Sequence, residues 1–440
     1  MTRVLLWTIV AVAARLGASA ASANAGVFAD MAQYHERALA LLTSGTLPDA
    51  LRGPGYPALL AAAYALGGPT FWTARVANAV VGGLLTLLTG VVAARAGAGP
   101  RAWIASAIVA LYPALVLSSV YLMPDALYAL LALLALLLVR HRAPAFAAPA
   151  GVVAALAILT RSVGLSLVGV SVLVAVWAVV SRQAPARVAW SRVAIFVMAC
   201  LVVLAPWLRF TTRIAGGPLL DTTSGMNVLL GNHDGATGRL RMADDAPLRE
   251  RFVNGAKSEA DANARAMRAG AAWAMEHPGA ALRLALVKTG YLLGLEGREH
   301  AWVYGQGYFG PRASWVVTAW GVALLLSFPL LVVVAVVGAA RARGPLTATH
   351  VALGAFVVLT CLLHVASFGE SRFHLPLVPV LAVAASLGHG PVSNAGASRL
   401  VAAIVVVALL AVAWTSQAPE LVSALLRLRA PDGWTAALPY

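Results

Sequence analysis

Residues 314–340 read SWVVTAWGVALLLSFPLLVVVAVVGAA, a run without one charged side chain, closed by Arg341. A helix needs ~18–20 apolar residues to cross a hydrocarbon core, and this run exceeds that length. Similar runs precede it near 4–24, 75–95, 102–122, 125–140, 147–161, 163–181 and 193–208. Others follow near 348–367, 375–389 and 399–416, which makes about eleven spans. Composition agrees. Hydrophobic residues make up 60% of the chain and charged ones 11%, with mean hydropathy +0.82, whereas soluble domains carry roughly 25% charged residues. The chain reads as an all-α polytopic membrane protein.

Orientation comes from the arginines. Arg3, Arg95 with Arg101, Arg140 with Arg142, Arg182, Arg187, Arg192, Arg341 with Arg343, and Arg399 fall in alternate short loops. The positive-inside rule makes those loops cytoplasmic, with the N-terminus inside and the C-terminus outside. The 17 acidic residues all lie on the opposite side or at its membrane border. The net charge of +15 is thus spread over span ends rather than gathered on a nucleic-acid face, and nucleic acid is not expected as a partner. Cys200 and Cys361 lie inside apolar runs and suggest neither a disulfide framework nor a metal site. Residues 1–24 have some features of a secretory signal, but Arg15 interrupts the apolar core, so an uncleaved first span is expected.

The expected organisation is a membrane domain over 1–416, with outer loops 25–74 and 209–313, and a short extracytoplasmic tail over 417–440. The first outer loop carries an amphipathic helix from Met31 to Leu42, ended by Gly45. The second holds a polar helix near 244–276 and an apolar one near 279–295, which is read as lying in the interface plane.

Chemistry-capable residues gather at the outer span ends. Asp30, in Phe28-Ala-Asp-Met-Ala-Gln-Tyr34, reads either as a helix cap with Gln33 or as a general base, with Tyr34 one turn on. Arg52-Gly-Pro-Gly-Tyr56-Pro57 is the densest turn signal in the chain. It presents Arg52 either to a phosphate or to lipid headgroups. Asp125, after Met123-Pro124, suits a helix N-terminus and is also a possible second acid. Pro206-Trp207-Leu-Arg209 offers an interfacial anchor and another basic group. Glu370-Ser-Arg372-Phe-His374 packs three ionisable groups between two apolar spans, either as an intraloop pair or as part of a site. The His233-Asp234 pair is weak evidence for a metal, and no P-loop, dinucleotide or zinc-protease motif occurs.

An Asp after the first span, a following Tyr, the Arg-x-Pro-Gly-Tyr-Pro turn and an outer Met-Pro-Asp resemble the GT-C superfamily of polytopic glycosyltransferases. Thr160-Arg161, Pro-Trp-x-Arg, Gly225-Met-Asn227 with Gly231-Asn232, and Glu-Ser-Arg-Phe reinforce the likeness over residues 1 to about 390. The nearest look is to the bacterial branch of protein O-mannosyltransferases and aminoarabinose lipid A transferases (glycosyltransferase family 39-like). The resemblance implies a mannosyltransferase-like enzyme of the bacterial cytoplasmic (inner) membrane with its active site outside. It would move a sugar, with inversion at the anomeric carbon, from a polyprenyl-phosphate carrier to a lipid, glycan or protein acceptor. Asp30 would be the catalytic base, with Asp125 or Glu370 as a second acid. Arg52, Tyr34, Tyr56, Arg209 and Arg372 would bind carrier phosphate or substrate. Some relatives carry a C-terminal extracytoplasmic domain, for which residues 417–440 are too few. No cofactor is required, and a divalent cation is compatible but unsupported. A transporter would keep its polar groups at mid-bilayer, and here Arg15 is the main exception to their placement at span ends. A non-catalytic envelope-assembly or lipid-transport protein is the alternative.

Overall fold

The computed structural model describes residues 1–22, 25–141, 143–342, 345–388 and 394–435, with only the backbone of 242–245, 394–400 and 402–403. Arg142, Arg343 and the side chain of Arg399 therefore lie outside the described residues. The regular secondary structure of the described residues is all helical, with no strand. After α1 (Thr2–Ala20) come α2 (Ala29–Ser44), α3 (Gly55–Gly67), α4 (Phe71–Ala93), α5 (Ala102–Leu111) and α6 (Pro113–Val120). The bundle continues through α7 (Asp125–Val139), α8 (Ala147–Thr160), α9 (Ser166–Val180) and α10 (Ala186–Ala215). The region between α10 and the last spans contains α11 (Ser224–Gly231), α12 (Met242–Val253), α13 (Glu259–Glu276), α14 (Pro278–Leu292) and α15 (Arg298–Gly305). Last are α16 (Ser314–Arg341), α17 (Ala348–Ala366), α18 (Val378–Ser386) and α19 (Asn394–Leu428).

Seven segments are long and apolar enough to cross a membrane, eight if Pro113–Val120 and Asp125–Val139, bent by 119°, form one span. One of the seven, Phe71–Leu111, doubles back. Ser106 Oγ donates to Thr86 O at 3.1 Å, whereas a straight helix would hold residues that far apart in sequence ~30 Å apart. The expected runs near 147–161 and 375–389 fall on shorter helices, Pro144–Thr160 and Ser371–Ser386. Each of the eleven expected runs is helical, but length and composition alone qualify fewer. At the C-terminus α19 continues past the expected boundary at 416 to Leu428. The expected polar helix near 244–276 is two helices, α12 and α13, the latter capped by Ser258 accepting from Asp261 N. The apolar helix α14 is not one of the seven spans.

The alternation of loops is visible in the packing. At one end of the bundle Arg101 donates to Gly388 O, His350 contacts Ala96 O and Arg192 donates to Val139 O. Asp30, Arg52, Asp125, Arg161, Glu299 and Arg372 meet elsewhere, drawn from the other set of connections.

Buried polar groups inside the bundle do structural work. Arg15 is 1% exposed and donates to Ala11 O, Ala110 O and Val109 O. Pro113 has no N–H to offer the turn before it, so carbonyls at the α5–α6 break need another donor. Gly82 makes room for this arginine, since a Cβ there would lie 2.1 Å from Arg15 Nε. Arg15 thus repairs a helix break rather than marking a transport path.

Candidate active site

The connection between α2 and α3 is built to hold Arg52. Gly45 ends α2 in a left-handed conformation, φ 70°, and the chain then turns beneath Arg37. Arg37 is 2% exposed and donates to Asp49 and to Arg52 O. Asp49 in turn accepts from Leu51 N at 2.8 Å. The Gly-Pro-Gly step seats this turn on the end of α8. A Cβ at Gly53 would come 2.1 Å from Leu159 O, and one at Gly55 would come 2.5 Å from Thr160 Oγ1. So placed, Arg52 Nη2 donates to Asp30 Oδ1 at 2.6 Å and Nη1 to the Tyr34 hydroxyl at 3.2 Å. Burial works against its charge, but Tyr34 and Asp30 outweigh that cost and hold the guanidinium above its ordinary pKa.

Asp30 is not the cap of α2. The helix starts at Ala29 after Phe28, and no side chain caps it. The Gln33 Oε1 needed for the reciprocal arm is buried without a partner. Asp30 lies inside the first turn, where a carboxylate still suits the helix dipole, and its side chain goes to Arg52. Ala29 beside it takes a left-handed φ of 48°, a conformation that costs a residue with a Cβ.

Asp125 arrives by a different route. The sharp bend between α6 and α7 leaves carbonyls without intrahelical donors. Asn78 donates to Ser119 O and Tyr121 O, while Arg75 and Tyr308 donate to Val120 O. This frame holds Asp125 at the start of α7, 1% exposed. Arg161 pairs with its Oδ1, and Arg372 Nη2 donates to its Oδ2 at 3.1 Å.

Arg372 joins the two aspartates. Its Nη1 lies 4.0 Å from Asp30 Oδ2 and 3.2 Å from Glu299 Oε1. Burial pushes the Glu299 carboxyl up to about 7; Arg372 opposes the rise, while Asp125, Asp30 and Glu370 add to it. The result is a basic floor of Arg52, Arg161 and Arg372, with carboxylates in three settings. Asp30 is the most open at 33% side-chain exposure, Glu299 is intermediate at 16%, and Asp125 is sealed. Such a floor can hold a phosphate while the open acid accepts a proton.

Other expected residues fall elsewhere. Glu370 does not pair with Arg372 in its own loop; it accepts from Arg298 Nη1 at 2.6 Å. Burial raises its pKa and Arg298 holds part of the rise back. Tyr56 is fully buried behind Tyr34 and donates to Asn78 Oδ1, so it braces the site instead of facing it. Arg209 is exposed on α10, which runs on to Ala215, and makes none of the cluster's ion pairs. Nor is Trp207 an interfacial anchor: it is 6% exposed and donates to Leu220 O. Asp234 accepts from Trp273 Nε1. His374 is buried between Leu292 O and Glu296. Asn232 accepts from buried Lys288 and donates to Ala366 O, which docks α11 on α17. Among the described residues, no three His, Cys, Asp or Glu side chains gather closely enough to hold a metal ion.

Glu299 is a member that the sequence reading missed, and Arg161 entered it only through the Thr160-Arg161 likeness, without a place in the site. Arg161 stands alone after an apolar run, but Glu296-Gly-Arg298-Glu299-His300 is a dense charged stretch that marks its neighbourhood.

No family model matches this chain, and no curated protein matches its sequence. Among solved structures it is similar to ArnT from Cupriavidus metallidurans bound to undecaprenyl phosphate. The TM-score is 0.52 at 16% identity, over 99% of this chain and 76% of that one. It is also similar to the Archaeoglobus fulgidus oligosaccharyltransferase in the apo form, with TM-score 0.52 and 15% identity. That match spans 100% of this chain and 56% of the oligosaccharyltransferase. At these identities the likeness is one of architecture. The chain is an all-α polytopic membrane protein with a GT-C-like fold.

Proposed function

We propose that this protein is a membrane glycosyltransferase that moves a sugar from a polyprenyl-phosphate carrier to an acceptor hydroxyl, with inversion at the anomeric carbon. The observation that carries the reading is the setting of Asp30. It is the most exposed acid of the cluster, and it lies between Arg52 and Arg372. The undecaprenyl phosphate named with the similar ArnT structure supports a carrier of that class.

In the proposed reaction Asp30 takes the acceptor's hydroxyl proton as its oxygen attacks the anomeric carbon. The bond from that carbon to the carrier phosphate breaks, and the phosphate leaves with the electron pair. Arg52 and Arg372, whose guanidinium groups flank Asp30, meet the charge that develops on it. Asp125 keeps Arg161 and Arg372 in place with its two oxygens. Proton transfer by a positioned carboxylate contributes roughly 10²–10⁴ in rate.

The positive-inside rule puts the Arg95, Arg101, Arg140 and Arg192 end in the cytoplasm, and hence the cluster on the outer face of a bacterial-type inner membrane. Reporters fused after Arg142 and Arg343 should then behave as cytoplasmic, and one after Asp49 as external; two reversed reporters overturn the orientation. Activity is tested with the full chain in nanodiscs and a panel of polyprenyl-phosphate sugars, mannosyl and aminoarabinosyl donors first. Sugar transfer to a lipid, glycan or peptide acceptor supports the enzyme. Carrier binding without transfer across the panel supports the lipid-transport alternative.

A further inference from the structure

Four arginines and four carboxylates meet at the cluster and its rim, and three of their pairings are settled. Arg52 bonds to Asp30, Arg161 to Asp125 and Arg298 to Glu370. Arg372 is shared. Its Nη2 donates to Asp125, while Nη1 lies 3.2 Å from Glu299 Oε1 and 4.0 Å from Asp30 Oδ2. Glu299 thus draws its ion pair from a guanidinium already bonded to another carboxylate.

The surroundings of Glu299 penalise its negative charge. Burial does so first; Asp125, Asp30 and Glu370 add to it from other segments, and Arg372 opposes them. On its own helix Arg298 is taken up by Glu370. His300, bonded to the Tyr121 hydroxyl, is pushed down to about 4 by burial and brings no positive charge at neutral pH. With all eight arginines and carboxylates ionised the cluster is neutral, and a phosphate diester would add an uncompensated negative charge. With Glu299 protonated the cluster carries one net positive charge, which a diester monoanion cancels. The neutral carboxyl also has an O–H to donate to a phosphate oxygen, where the carboxylate would repel it. An oxygen that accepts from Arg372 Nη1 lies next to Glu299, which shares that nitrogen.

We propose that Glu299 is a ligand of the carrier phosphate and holds it in the neutral form, so that the phosphate diester and a proton enter the site together. The proposal rests on the polyprenyl-phosphate reading and adds the residue that sets the charge of the complex. The probe is the methyl diester of a short-chain polyprenyl phosphate, which keeps a single negative charge across the pH range used. Its affinity for the full-length protein in nanodiscs should fall about tenfold as pH rises from about 6 to about 8.5, because ionised Glu299 must first take up a proton. Glu299→Gln, neutral and of the same size, should keep the low-pH affinity throughout. Glu370→Gln should retain the slope, which separates Glu299 from the neighbouring acid. Calorimetry in two buffers of different ionisation enthalpy needs no variant: the wild type should take up close to one proton per diester at about pH 8. The proposal is overturned if wild-type affinity is flat across the range, if Glu299→Gln keeps the slope, or if no proton is taken up. Tight binding without pH dependence sinks Glu299 alone and leaves the carrier reading standing. A diester that binds at no pH sinks both.

Discussion

Asp30 and Asp125 are the same side chain beside the same arginine, yet their surroundings give them different work. Asp125 is 1% exposed, with Arg161 on one oxygen and Arg372 on the other. It sits on a helix break whose carbonyls are satisfied by Asn78, Arg75 and Tyr308. Asp30 is 33% exposed, gives one oxygen to Arg52, and has Arg372 4.0 Å from the other. A carboxylate with both oxygens committed cannot accept a proton without breaking the frame it holds. The open one can. The difference separates an anchor from a base within one charged cluster.

Removing the anchor should have the largest effect. Asp125→Ala leaves Arg161 and Arg372 facing one another without their shared anion, and breaking such a buried pair costs about 3–5 kcal/mol. The thermal melt of the variant in nanodiscs should fall sharply, and a wild-type melt would show that the two aspartates are interchangeable. Arg52→Lys keeps the charge but loses the planar fork. Polyprenyl-phosphate binding should weaken about tenfold, equivalent to ~1.4 kcal/mol, and unchanged affinity would remove Arg52 from the carrier site.

A pH experiment sharpens the comparison through Glu299, whose carboxyl is pushed up to about 7 from an ordinary 4.5. The unfolded chain loses this proton first, so the folded state's advantage is complete below about 4.5 and falls as pH rises to about 7. Melting temperature should decline across that window, and Glu299→Gln should flatten that part of the decline; the same slope in both proteins would refute the assignment. The smallest effect belongs to Tyr56→Phe, which loses its bond to Asn78 for ~1 kcal/mol of stability. Carrier affinity should not change, and a tenfold loss would put Tyr56 back in the site.

Much of this was legible in the sequence because apolar runs and charged span ends are one-dimensional signals. Asp30, Tyr34 and Arg52 fall close together in the stretch after the first span, where a turn built from Gly and Pro shows that Arg52 is presented to something. What lies across the bundle was harder. Arg161 and Arg209 look alike as arginines after apolar runs, but Arg161 reaches Asp125 while Arg209 is exposed. The rotation of each helix decides this, and helix rotation is set by tertiary packing. Close approaches such as Gly151 on Phe196 O, where a Cβ would lie 2.2 Å away, belong to that level. The Asp30 cap failed for a local reason: the helix begins one residue before the aspartate and its carboxylate turns to a partner 22 positions on.

Asp30→Asn tests the central claim most directly. The amide keeps the size and a hydrogen-bond acceptor for Arg52 but cannot take the proton of an acceptor hydroxyl. Wild type and variant are compared in nanodiscs for melting temperature, polyprenyl-phosphate binding and sugar transfer with the best donor of the panel. The account predicts an unchanged melt, carrier affinity within a few-fold, and transfer lower by roughly 10²-fold or more. Turnover near the wild-type rate in a properly folded variant would contradict it and move the base to another carboxylate.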